Sequence, residues 1–306
     1  MRRAIVALIA VALVGIAAPA ADATFPARNG WVVFAGLGTS GSKQLFAVRP
    51  KPGARILPFL SASAVNDRAP SWGPDGDTLA FVSSRSGLED IWSVTFGIDP
   101  PVDLTNTASL RETLPTWSLD GRIAFVSQGM TGTDTTIDVI DADGSNRATI
   151  RSPGRSIFGL EWSPTGGRIS YAVPDGDRVD IFSMRADGSQ RIRLANDLVH
   201  AVIYDWSPDG RWIIFQGGSG SKRGLFAIAP SGAHRIIRLT TASSPGTDGH
   251  ATYAPNGSRI IFVRDQGSGD ELWMMRTDGS GQHRLRKVYR YGVFGIAWQP
   301  AGGASS

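Results

Sequence analysis

"YDWSPDGRWIIFQG", residues 204–217, compresses a structural unit into one short stretch. A brief run ends at Trp206, a turn follows at Ser207-Pro208-Asp209-Gly210, and the β-branched and aromatic run Ile213-Ile214-Phe215 comes next. Pro presets φ for the turn, Asp bonds its own backbone, and Gly takes the left-handed conformation. Alone, this stretch predicts a hairpin. Its recurrence decides the fold.

The pattern returns as "PSWGPDGDTLAFVSS" from Pro70, "PTWSLDGRIAFVSQ" from Pro115, "LEWSPTGGRISYAV" from Leu160, "ATYAPNGSRIIFVR" from Ala251 and "IAWQPAGG" from Ile296. The aromatic anchors Trp72, Trp117, Trp162, Trp206, Tyr253 and Trp298 are spaced 45, 45, 44, 47 and 45 residues apart. After each turn and strand comes a loop rich in Gly, Ser and Asp, then a second run such as Asp180–Met184. A tight turn follows, Asp143-Gly144, Asp187-Gly188 or Asp278-Gly279, and a last short run such as Ile192-Arg193-Leu194. Asp-Gly between apolar runs signals a hairpin. Four short strands in about 45 residues mark a β-propeller blade. No window sustains a 3.6-residue apolar period, so helices have little room. The anchors are predicted to pack between neighbouring blades.

The two ends of the repeat complete each other. Trp31–Phe34, Leu45–Val48 and Pro52-Gly53 read as a blade without its first strand, and Ile296–Gln299 as a first strand without a blade. Joining them gives an all-β, six-bladed β-propeller with both sheet edges covered. The prediction is that Trp31–Phe34 pairs with the strand around Trp298. This also places Gly36-Leu37-Gly38-Thr39-Ser40-Gly41, which matches G-x-G-x-x-G letter for letter. A dinucleotide fingerprint needs a helix whose N-terminal amides face the pyrophosphate. Here Lys43–Val48 reads as a strand, so a hairpin loop is expected and no nucleotide.

The 306-residue chain divides into a signal peptide over 1–23, a propeller over 24–301 and a flexible tail over 302–306. Met1-Arg2-Arg3 is a positive start, Ala4–Ala18 is almost wholly apolar, and Ala21-Asp22-Ala23 has the small-x-small form of a cleavage site, as does Ala18-Pro19-Ala20. The apolar stretch falls short of the roughly 20 residues a membrane span needs. A periplasmic or secreted monomer, not membrane-spanning, is the expectation. The absence of cysteine excludes disulfides, thiolate metal sites, a cysteine nucleophile and a lipid-modified cysteine. The net charge of +4 is dispersed, without the basic stripe that nucleic acid would require.

The repeated W-S-P-D-G followed by a strand resembles the WD40-like repeat of the TolB family of six-bladed propellers, over essentially the whole mature chain. The resemblance implies an exported, non-enzymatic protein that recognises a protein or peptide partner at the mouth of its channel. TolB carries an additional α/β domain before its propeller, whereas about seven residues separate the cleavage site from the first strand here. Other TolB-like propellers resemble lyases acting on acidic sugars, which makes a lyase or hydrolase the alternative, with a sugar-binding sensor as a third reading.

No Gly-x-Ser-x-Gly elbow is present. His200, His234, His250 and His283 stand in no metal-ligand spacing, and Asp141-Ala142-Asp143-Gly144 lacks the further oxygens of a calcium loop. No cofactor or metal is expected. One constellation remains. Five residues before the anchor stand Asp67, Glu112 and Asp248, against Ile157, Ala201 and Val293 in the other units. Inner strands begin beside the channel, so these carboxylates are expected to ring its mouth, with Arg68, Arg111 and His250 as neighbours.

Overall fold

The computed structural model describes residues 27–60, 65–97, 100–132, 134–151, 153, 155–219, 223–231, 235–241, 246–288 and 292–301. The expected signal peptide, the tail and His234 lie outside these residues. The described residues form 24 strands and no helix. They make six four-stranded sheets arranged as one ring.

The first blade contains β1 (Arg28–Leu37), β2 (Lys43–Val48), β3 (Leu57–Pro58) and, innermost, β24 (Ile296–Ala301). Each later blade runs in chain order from the channel outward. The second holds β4 (Asp67–Trp72), β5 (Thr78–Ser83), β6 (Asp90–Thr95) and β7 (Val102–Asp103). The third holds β8 (Leu110–Trp117), β9 (Ile123–Gly129), β10 (Thr135–Ile140) and β11 (Ala148–Arg151). The fourth holds β12 (Leu160–Trp162), β13 (Arg168–Asp175), β14 (Arg178–Arg185) and β15 (Ile192–Leu198). The fifth holds β16 (Val202–Trp206), β17 (Ile213–Gly217), β18 (Gly224–Ile228) and β19 (Ile236–Arg238). The sixth holds β20 (Thr247–Tyr253), β21 (Arg259–Asp265), β22 (Asp270–Arg276) and β23 (His283–Lys287).

The ring closes as the sequence predicts. Antiparallel pairing sets Val32 opposite Trp298, Val33 opposite Ala297 and Phe34 opposite Ile296. The G-x-G-x-x-G stretch forms the end of β1 and the β1–β2 hairpin loop, with Gly38 N–H donating to Ser42 O at 2.9 Å. In the Asp-Gly turns, Gly144, Gly188 and Gly279 have φ of 83–86°, which disfavours any side chain.

The core lies between blades. All six anchors are buried and sit in clusters that join adjacent sheets. A second repeated layer comes from the third apolar position of the post-turn strand: Phe34, Phe81, Phe125, Tyr171, Phe215 and Phe262, all buried. Removing such a side chain from water contributes about 1.5–3 kcal/mol.

Candidate functional site: the channel and its mouth

The inner strands do not run straight to the channel mouth. The residue three positions before the anchor has positive φ in five blades: Ala69, Leu114, Gly159, His250 and Gly295. In β4, β8 and β20 the ladder gains one residue here, between Arg68 and Ser71, Thr113 and Thr116, and Gly249 and Thr252. Such a bulge reverses which face the following side chains occupy. Strained non-glycine backbone of this kind persists only where surrounding packing imposes it.

The bulge relocates the carboxylates. Register places Asp67, Glu112 and Asp248 on the same sheet face as the anchors of their own strands, opposite Ser71, Thr116 and Thr252. All three are buried and ion-paired inside their blades. Arg85 bonds Asp67 through two nitrogens at 2.9 and 2.7 Å, and Arg264 grips Asp248 at 2.6 and 2.9 Å. Arg147 bonds Glu112 at 2.6 Å and also reaches Ser127 and Asp138. These guanidinium groups lie over Phe81, Phe262 and Phe125 respectively. Burial raises the pKa of Asp67 and Glu112, and the paired arginines only partly offset it.

Arg68 and His250 do reach the mouth. They line a cavity of about 160 Å³ to which every blade contributes, including Leu114, Gly159, Tyr204 and Phe294. Arg68 forms a two-pronged ion pair with Glu89 at 3.0 and 2.8 Å. His250 is partly buried against Tyr204, with ring centroids 5.4 Å apart, and the loss of solvation pushes its pKa down to about 4. Burial pushes the Tyr204 hydroxyl up to about 12. Exposed Phe158 adjoins the mouth through Gly159, and Phe294 is also exposed. His200 is exposed and lines no part of this cavity.

Sequence reasoning missed the polar waist below the mouth. The residue immediately before each anchor, Ser71, Thr116, Glu161, Asp205, Thr252 or Ala297, lines a cavity of about 60 Å³. Thr116 donates to Glu161 at 3.1 Å, while Asp205 accepts from Thr252 Oγ1 at 3.0 Å and Tyr253 N–H at 2.7 Å. Loss of solvation, reinforced by the Asp205 charge, holds the Glu161 carboxyl well above its ordinary range. Glu161 lines both cavities. The legible signal was the column of residues preceding the anchors. Among the described residues, no three His, Asp or Glu side chains converge as a metal ion requires.

Solved structures share this architecture. TolB from Acinetobacter baumannii is 19% identical with a TM-score of 0.74, covering 89% of this chain and 67% of that one. A structure of a nidogen/laminin complex contains a chain 14% identical with a TM-score of 0.70, covering 89% of this chain and 99% of that one. An oligogalacturonate lyase in complex with manganese is 12% identical with a TM-score of 0.54, over 86% of this chain and 75% of that one. No curated protein matches the chain in sequence. The family model of the TolB beta propeller domain matches residues 118–297, and the chain belongs to that family.

Proposed function

We propose that this propeller is an exported binding protein that takes a protein or peptide segment at the channel mouth. The observation that carries this reading is the lining of the mouth. All six blades converge on one concave surface where Leu114, Ile296 and Phe294 supply apolar contact beside Arg68 and His250. A pocket dominated by apolar groups with a few fixed polar ones suits an inserted side chain or chain end. The N-terminal apolar run and its cleavage pattern support export. N-terminal sequencing of the protein from its native host should find the chain starting after Ala20 or Ala23.

The test uses a photo-crosslinking amino acid placed at Phe294 in the exported protein, with Phe96, exposed beside the post-turn strand, as control. A discrete adduct from position 294 alone supports the reading. Equal adducts from both positions, or none from 294, overturn it.

A second reading, catalysis on an acidic saccharide, draws on a specific pair. Glu161, whose carboxyl pKa is raised by burial and the Asp205 charge, and His250, whose pKa is lowered to about 4, share one cavity, a combination suited to acid and base roles. Turnover of polygalacturonate that vanishes in Glu161→Gln would favour it over pure binding.

A further inference from the structure

The fourth blade departs from an arrangement that the third blade shows. In the third blade, Arg147 lies over Phe125 and is neutralised by Glu112 and Asp138, with Ser127 as a further acceptor. Aligning the post-turn strands and their ladder partners sets Ile157, Phe182 and Val173 where those three acceptors stand, and Tyr171 where Phe125 stands. Arg191 occupies the place of Arg147, one residue before the outer strand. Every internal partner of this arginine has been replaced by an apolar side chain. Arg191 instead lies over the Phe182 ring, 4.6 Å from its centroid.

A hydroxyl has been added at the same spot. The five sister blades place Phe at the position of Tyr171, which is 1% exposed and stacks on Phe182. Its hydroxyl is buried and completes no hydrogen bond of good geometry, although the guanidinium groups of Arg151 and Arg191 lie beside it. Arg151 comes from β11 of the neighbouring blade, and its Nε is likewise buried without a partner. Buried polar atoms left in this state are costly and call for an explanation.

These atoms border one cleft of about 380 Å³ between the third and fourth blades, walled by Pro153, Val173 and Phe182. Its carboxylates are already engaged. Asp175 pairs with Arg155 at 3.0 Å, and Asp180 accepts from Arg193 at 3.4 Å and from Asp197 N–H at 3.2 Å. Arg151 and Arg191 have no carboxylate partner among the described residues. Planar guanidinium forks recognise carboxylate, phosphate and sulfate through paired, charge-assisted hydrogen bonds.

We propose that this cleft is a binding site for the oxyanion of a small ligand, held by Arg151, Arg191 and the Tyr171 hydroxyl. The anion replaces the carboxylates that the third blade builds in. The aromatic and proline walls take the ligand's apolar body.

The test titrates the intact protein with benzoate, inorganic phosphate and sulfate at constant ionic strength in chloride, following the arginine Nε–H resonances. Saturable shifts at Arg151 are expected with at least one probe. Tighter binding of benzoate assigns an organic acid, and equal or tighter binding of phosphate or sulfate assigns a bare oxyanion group. Arg151→Gln and Arg191→Gln should each weaken binding tenfold or more, while Arg211→Gln, on a distant exposed turn, leaves it unchanged. Tyr171→Phe restores the sister residue, so it should fold. It should raise the Tm of the anion-free protein and weaken binding about threefold. No saturable binding of any probe, or full binding in the Arg151→Gln/Arg191→Gln double variant, overturns the proposal.

Discussion

Asp248 and Arg264 show how a carboxylate expected at the channel is engaged within its own blade. Both are nearly withdrawn from solvent, at 0% and 8% exposure, and Arg264 also contacts the rings of Phe262 and Trp273. Deleting one partner of such a pair strands the other as a buried charge, which costs about 3–5 kcal/mol. Arg264→Met should therefore destabilise by that amount in urea unfolding. Pairing it with Asp248→Leu should recover most of the loss, because the pair's own desolvation cost then vanishes as well. Glu161 makes the opposite prediction. Its folded pKa lies above its unfolded value, so between the two the native state holds more protons than the unfolded chain. Stability then falls as pH rises through that window and is recovered on acidification. Glu161→Gln should be more stable than the parent at neutral pH, with the difference shrinking toward pH 4.5. Equal stability of the two proteins across that range would contradict a raised Glu161 pKa in the folded state.

At the level of the strand, the bulge three residues before the anchor separates what the sequence reveals from what it hides. The anchors, Pro-Asp-Gly turns and Asp-Gly hairpins were legible because each carries its own residue chemistry at a fixed period. The bulge has no such fixed marker: Ala69 and Leu114 adopt positive φ although nothing in their side chains favours it. One extra residue turned Asp67, Glu112 and Asp248 onto the anchor face, while the waist residues Glu161 and Asp205 held the inward position. Only Gly159 and Gly295 hint at the distortion in the sequence. Gly159 has φ of 99°, and a Cβ there would lie 2.3 Å from Ile203 O of the adjoining blade. Gly159→Ala should cost about 2–5 kcal/mol, combining left-handed strain with overpacking. Gly87, at φ of 119° with open space around it, isolates the strain from the collision. Gly87→Ala should therefore cost less in the same denaturation experiment.

For the molecule as a whole, one seam closes the ring. The first blade takes its inner strand from residues 268 positions away in the chain, as the contact of Trp31 N–H with Gln299 Oε1 at 2.9 Å illustrates. Gln299 also donates to Gly76 O at 2.8 Å, so one buried side chain ties β24, β1 and the turn of the second blade together. Because strand pairing makes no demand on the order of the chain, the fold requires only that β24 reach its slot. A circular permutant that places residues 296–301 ahead of Arg28 through a short flexible linker, and ends near Gly295, should therefore fold to the same ring. Its blades would then all run in chain order from the channel outward, with lower loop-closure entropy for the seam. A protein lacking residues 296–301 leaves β1 with an uncovered inner edge in the channel and exposes the apolar face around Val32 and Phe34. It should lose cooperative thermal unfolding or self-associate through that edge, as read by calorimetry and light scattering. Adding back the 296–301 segment as a peptide should restore the monomer if the seam alone is responsible. A truncated chain that unfolds cooperatively as a monomer at the parental Tm would show that the ring is held elsewhere.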